Sequence, residues 1–159
     1  MSEGESLELL RKAKVGRIGL TLGPQPYIVP VFFTYHRGRI IFYTHKRGAK
    51  LEGLLSNPYI CLQVDSIPEG EGEAKSVLVF GKAEVVGDPD EKVEALKALV
   101  NKYKDYHDLR ENINKESINL PEEEFYRESL KKVTVISIVP RKITGRKMRI
   151  KPINKKLHK

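Results

Sequence analysis

Apolar positions along the chain switch between a helical period and a strand period, and the switches outline its elements. Ser2 with Glu5 forms a capping-box pattern, and Leu7, Leu10 and Ala13 follow at helical spacing, so a short opening helix ends near Val15-Gly16. Arg17 to Leu22 reads as a strand and Gly23-Pro24-Gln25-Pro26 as a turn. Tyr27 to Tyr35, rich in β-branched and aromatic residues, reads as one long strand, and His36-Arg37-Gly38 closes a hairpin onto Arg39 to Thr44. Gly48 introduces a short helix with Leu51, Leu54 and Leu55 on one face, stopped by Asn57-Pro58. Strands are predicted at Tyr59 to Val64 and Ser76 to Val86, separated by a Pro/Gly/Glu-rich loop from Ser66 to Lys75.

Asp88-Pro89 has the residues of an N-cap and a first helical position. Val93, Leu96, Leu99, Val100 and Tyr103 then keep a 3.6-residue period, predicting an amphipathic helix to about Lys104. After a polar stretch, Pro121-Glu122-Glu123-Glu124 opens a last helix with acids at its N-terminus and Lys131-Lys132 at its end, matching the helix dipole. Val133 to Val139 is the final predicted strand. Six strands joined mostly by hairpins, with helices inserted rather than alternating, predict a mainly β fold with peripheral helices: a six-stranded antiparallel β-barrel, which the resemblance stated below makes a split barrel.

The length of 159 residues suits one domain with a core of its own. The single cysteine, Cys61, rules out an internal disulfide and, inside the run Tyr59 to Val64, is expected to be a small core residue. The first residues lack the basic and apolar regions of a signal peptide, and no apolar run approaches the roughly 20 residues of a membrane span. A soluble, cytoplasmic protein without membrane contact is expected. The formal charge of +8 is uneven: nine Lys or Arg and no acid lie between Arg141 and Lys159, which leaves residues 1–140 close to neutral. The expected organisation is therefore a domain over 1–140 and a solvated basic extension over 141–159, with nucleic-acid binding not expected of the body.

The chemistry concentrates in Phe42-Tyr43-Thr44-His45-Lys46-Arg47-Gly48-Ala49-Lys50, which combines a strand end, three cations, a hydroxyl and a glycine just before a helix. These are the requirements of a phosphate site: unpaired N–H groups at a helix N-terminus, a glycine that admits the ligand, Lys50 for charge and Thr44 to donate. The four histidines have no ligand spacing to one another, and Gly70-x-Gly72 lies in an acidic loop rather than between strand and helix. Arg17, just after Gly16, is expected to hydrogen-bond a neighbouring loop, with facing the cofactor as the alternative.

Four pieces in order carry a likeness: Tyr27-Ile28-Val29-Pro30-Val31-Phe32, Phe42 to Lys50, Leu54-Leu55-Ser56-Asn57-Pro58, and Ser76-Val77-Leu78-Val79-Phe80-Gly81-Lys82-Ala83-Glu84. With them the run from Pro26 to Val86 resembles the FMN-binding split-barrel family of pyridoxamine 5'-phosphate oxidase and its relatives, including the nitroimidazole-resistance flavoproteins. The resemblance implies that Val29, Pro30, Val31 and Phe32 lie along the isoalloxazine ring, with main-chain groups on its polar edge. It implies that Tyr43, Thr44, Gly48, Ala49 and Lys50 surround the ribityl phosphate, that Ser76 approaches the flavin from a second subunit, and that the protein is a homodimer acting on a small-molecule substrate.

Two departures narrow the expectation. Thr144-Gly145-Arg146-Lys147-Met148-Arg149 lacks the Arg-x-His pair with which the true oxidases hold vitamin B6, and Tyr43 stands where the nitroimidazole-resistance relatives place a histidine. The expected function is an FMN-dependent oxidoreductase with an unidentified substrate. The alternatives are a relative that binds the deazaflavin F420, or a non-catalytic flavin-binding module.

Overall fold

The structure, a computed structural model, describes residues 1–153. The chain runs α1 (Glu3–Lys12), β1 (Gly16–Leu22), β2 (Gln25–Val31), β3 (Thr34–His36), β4 (Arg39–His45), α2 (Ala49–Ser56), β5 (Tyr59–Ser66), β6 (Gly72–Val85), α3 (Pro89–Tyr103), α4 (Arg110–Asn114), α5 (Glu122–Ser129) and β7 (Val133–Ile150). The strands form one antiparallel sheet in the order β2-β1-β5-β6-β7-β4-β3. Inward side chains such as Ile18, Val31, Phe42, Leu62, Val79 and Ile138 meet in a core inside the sheet's curl, and Leu10 of α1 and Leu54 of α2 complete it. The two edge strands, β2 and β3, are successive in the chain and do not pair, so the curled sheet is a barrel split along one seam.

At that seam the structure has seven strands where the pattern predicts six. The Tyr27 to Tyr35 run breaks at Phe32-Phe33, although its side chains alone read as one strand. The backbone of Phe33 is satisfied by a side chain instead of a ladder: its N–H donates to the Tyr103 hydroxyl at 3.1 Å. The same hydroxyl has the carbonyls of Lys14 and Phe33 within reach, at 2.8 and 3.0 Å, and its one proton serves them in turn. Burial pushes the Tyr103 pKa up to about 12, which keeps that proton in place. An α3 residue 70 positions away thus ends β2 and starts β3.

The other large difference is β7, which continues beyond Val139 to Ile150. β6 also begins earlier than predicted, at Gly72, and pairs with β7 along the whole added length, with a register shift at Phe80/Gly81. The basic residues hid this strand: Lys147 and Arg149 share the face of Ile143 and Gly145 yet are exposed, Lys147 meeting Glu5 at 3.4 Å and Arg149 meeting Glu71 at 3.6 Å. The alternating positions Ile143 and Gly145 face inward, and a Cβ at 145 would stand 2.3 Å from Ser6 Oγ, so glycine lets α1 lie on the strand. The expected extension is therefore sheet as far as Ile150, while residues 154–159 lie outside the described residues.

A second apolar cluster covers the outer face of β4 and β7. Ile41, Val133 and Val135 pack there against Leu96, Leu99 and Tyr103 of α3, Ile113 of α4 and Phe125 of α5. Asp88 accepts from the N–H groups of Asp90 and Glu91 as the expected cap of α3, and Ser2 and Glu5 complete the capping box of α1. α4 and the 3-10 turn Lys115–Ser117 arise within the stretch that reads only as polar, because Leu109 and Ile113 are anchored by this cluster. Leu55 departs from the predicted face of α2: Leu54 is buried, whereas Leu55 is exposed. No helix of the described residues is long and apolar enough to cross a membrane.

Cys61 is also placed differently from expectation. The inward set of β5 is Ile60, Leu62 and Val64, so Cys61 falls on the outer face, in register with Gly19 and Phe80. It is half-buried there.

Replacing Tyr103 with Phe keeps the ring in place but leaves the Phe33 amide and a Lys14 or Phe33 carbonyl without a partner. A loss of about 1–3 kcal/mol of unfolding free energy is expected from such groups. Urea denaturation would read it as a lower midpoint with an unchanged slope.

Candidate functional site

The residues around the seam enclose a cavity of about 320 Å³. Val15, Pro30, Val31 and Phe32 form its apolar wall. The wall follows from pairing: Gly16 is in register with Val31 and Arg17 with Pro30, which brings the residue before β1 beside the end of β2. Behind it, the Phe32 ring is braced from α3 and the turn after it, edge-on to Tyr103 at 5.1 Å and stacked on His107 at 5.9 Å. β2 ends the sheet, so alternate N–H and C=O groups along its outer edge have no strand partner among the described residues.

Tyr43, Thr44, His45 and Lys50 form the opposite, polar end. β4 delivers the first three by its pairing with β7, in which Tyr43 opposes Val135 and Thr44 opposes Thr134. Tyr43 and His45 point the same way, with rings edge-to-face at 6.4 Å, while Thr44 is buried. The chain then bends through Lys46 and Arg47 into Gly48, the N-cap of α2. Its φ of 135° lies where side-chain-bearing residues are strained, and no side chain caps the helix. The first N–H groups of α2 are thus left for another acceptor.

Lys50 sits in the first turn of that helix, half-buried, and forms no ion pair among the described residues. Burial lowers its pKa below the usual lysine range, and the same burial raises that of Tyr43. A desolvated cation without a counter-ion, beside uncapped helix amides and a buried hydroxyl, is the electrostatic complement of an anion. The cavity therefore has an apolar side with an open strand edge and a polar end that carries an unneutralised cation among the described residues.

Of the residues singled out in the sequence, Pro30, Val31, Phe32, Tyr43, Thr44 and Lys50 converge on the cavity. Gly48 and Ala49 lie at the start of α2 beside it. Val29 turns its side chain toward the barrel core, in register with Ile18, so only its backbone is at the edge. Ser76 is elsewhere: it lies on β6, opposite Asp65, with Gln63 Nε2 at 3.5 Å. Three strand gaps separate β6 from β2, roughly 14 Å of sheet. Arg17 bonds Gln63 and Asp65, each at 3.2 Å, on that same outer face. Val15 and His45 line the cavity without having been singled out; His45 was legible as the i+2 neighbour of Tyr43, whereas nothing local marks Val15.

The arrangement also has known counterparts. A sequence profile of the family described as pyridoxamine 5'-phosphate oxidase matches residues 2–147. No curated protein sequence matches the chain. Among solved structures, a Bacteroides thetaiotaomicron protein named for 5-nitroimidazole antibiotic resistance superposes with a TM-score of 0.73 at 20% identity, covering 93% of this chain and 85% of its own. A FAD-binding protein from Mesorhizobium loti gives 0.67 at 22% identity, covering 93% and 96%. The FAD binding protein from Mycobacterium smegmatis gives 0.65 at 22% identity, covering 94% and 98%. At these identities the structures speak for the fold, and they agree with the split barrel described above. With the profile spanning nearly all of the described residues, the chain belongs to the pyridoxamine 5'-phosphate oxidase family.

Proposed function

We propose that this protein is a homodimeric flavoprotein that holds FMN in the cavity between β2, β4 and α2 and serves as an oxidoreductase for a small molecule. The observation that carries the reading is the desolvated Lys50, without an ion-pair partner among the described residues, beside the uncapped start of α2 and the buried Thr44. A single terminal phosphate matches this one anion-accepting end. The named relatives from Mesorhizobium loti and Mycobacterium smegmatis, both FAD-binding, support a flavin as the class of ligand.

In this reading Lys50, Thr44 and the α2 amides hold the phosphate, with Gly48 and Ala49 admitting it. The open edge of β2 from Val29 to Phe32 orients the ring through main-chain groups, and Pro30, Val31 and Phe32 exclude water from one side of it. Bound flavin supplies hydride or electron transfer, so the protein needs no acid, base or nucleophile of its own for that step. The side chains around it position, desolvate and select.

The dimer accounts for Ser76 and for the bare outer face of the sheet. Ile28, Tyr59 and Phe80 are 72%, 54% and 42% exposed there, and the patch adjoins Pro26, Cys61 and Gly19 with no helix of the described residues over it. Its β2 portion runs into the cavity wall at Pro30. A second copy on this face would cover the apolar patch and close the cavity, and it is the route by which a Ser76 could reach a flavin.

Purified protein is expected to show the visible bands of an oxidised flavin, and mass spectrometry of the released chromophore should identify FMN. Colourless protein that also ignores added FMN would exclude the reading, and a released deazaflavin would redirect it. Lys50→Ala is expected to weaken FMN binding roughly 10- to 100-fold, the worth of one charge-assisted hydrogen bond, with Lys46→Ala far milder. Equal losses, measured by fluorescence titration, would move the phosphate site. Phe80→Asp is expected to yield monomers by light scattering and to lower flavin affinity together with dimer content.

A further inference from the structure

β7 is paired along its whole length on one side and only along its first part on the other. β4 takes Val133 to Ile138, whereas β6 continues beside it to Ile150. From residue 139 to residue 150 the flank away from β6 has no strand beside it, and no backbone group there bonds another backbone group across that flank among the described residues. Alternate N–H and C=O groups of this stretch are thus presented outward, the template on which a further strand assembles.

The first half of this edge borders a groove of about 400 Å³, closed on its far side by Met1, Glu3 and Ser6 around the start of α1. Lys142 and Ile143 both line it although their side chains point to opposite faces of the sheet, so the groove opens on the edge itself and leaves room for an extended chain. Cations flank the edge on both faces. Lys142 and Arg146 share one face, Lys147 and Arg149 the other, and all four are exposed. Lys147 and Arg149 meet Glu5, Glu71 and Glu73, while Arg141, Lys142 and Arg146 have no carboxylate partner among the described residues. Glu3 is the one acid on the groove.

We propose that the free edge of β7 is a docking site for an acidic, extended segment of a partner protein, which adds to the sheet as a strand beside β7. Main-chain hydrogen bonds supply the pairing, and acids on either face of the added strand stand opposite Lys142 and Arg146 or Lys147 and Arg149. A second copy at the same edge is disfavoured by like charge: antiparallel registers centred on Thr144 or Gly145 set Lys142 against Arg146 or Arg141 against Arg149. A nucleic acid would satisfy the cations and leave the backbone edge unused.

The test is fluorescence anisotropy of a labelled decapeptide of alternating glutamate and valine titrated with the full-length protein. Saturable binding is expected, and none for the lysine-valine isomer. The acidic peptide N-methylated at alternate residues keeps its charge and loses donors along one edge, and is expected to bind roughly tenfold or more weakly. Hydrogen exchange of residues 139–150 should slow when the acidic peptide is bound. Lys142→Glu combined with Arg146→Glu, both at exposed positions, should cut the affinity by roughly tenfold or more with an unchanged circular dichroism spectrum. Equal binding of the N-methylated peptide, tighter binding of a single-stranded oligonucleotide, or residues 139–150 already protected by self-association of the free protein would each overturn the proposal. None of these readings depends on flavin content, so the docking edge stands or falls apart from the flavoprotein reading.

Discussion

Phe33 lies where the sheet has run out of strands: β2 ends on one side of it, β3 starts on the other, and no neighbouring strand takes its amide. The hydroxyl of Tyr103 fills that role from α3 and also reaches the carbonyl of Lys14, before β1. One buried side chain therefore ties together the helix layer, the seam of the barrel and the segment that enters the first strand. An unpaired backbone group at such depth costs more than a typical hydrogen bond contributes, so the seam is stable only while this contact is made.

The candidate site depends on the same contact. Phe32, held by its neighbour's anchoring, presents its ring to the cavity and leans on Tyr103 and His107 behind it. Val15 follows directly after the carbonyl that Tyr103 reaches, and Pro30 and Val31 are the last residues before the break. The apolar wall is thus assembled at the one place where the barrel is interrupted. The polar end comes from a different source, the bend of β4 into an uncapped helix, and needs only local sequence to form.

The charge distribution takes on a different meaning once the strands are in place. A run of basic residues without acids reads as a solvated extension, yet ten of those positions, 141–150, lie within the longest strand of the sheet. Lys147 and Arg149 among them meet Glu5, Glu71 and Glu73, residues distant in sequence. No period-2 alternation marks these positions, because both faces of the strand carry lysine or arginine, so nothing local betrays it. The outer face of β1, β2, β5 and β6 shows the converse: Ile28, Cys61 and Phe80 sit in apolar runs that suggest a core, and register turns them to the outside.

Taken alone, the sequence determined what local chemistry can decide. The caps at Ser2 and Asp88, the helical period of α3, the hairpin turns, and the glycine and lysine that open α2 all act within a few residues, so the mainly β class and the start of α2 beside the strand end were legible. Tertiary structure alone decided the break at Phe33, the reach of β7 to Ile150, the outward placement of Cys61 and Ser76, and the place of Val15 in the cavity wall. Each of these is set by a partner tens of residues away. Pairing register and a single buried hydroxyl choose among conformations that the local residues leave equally open.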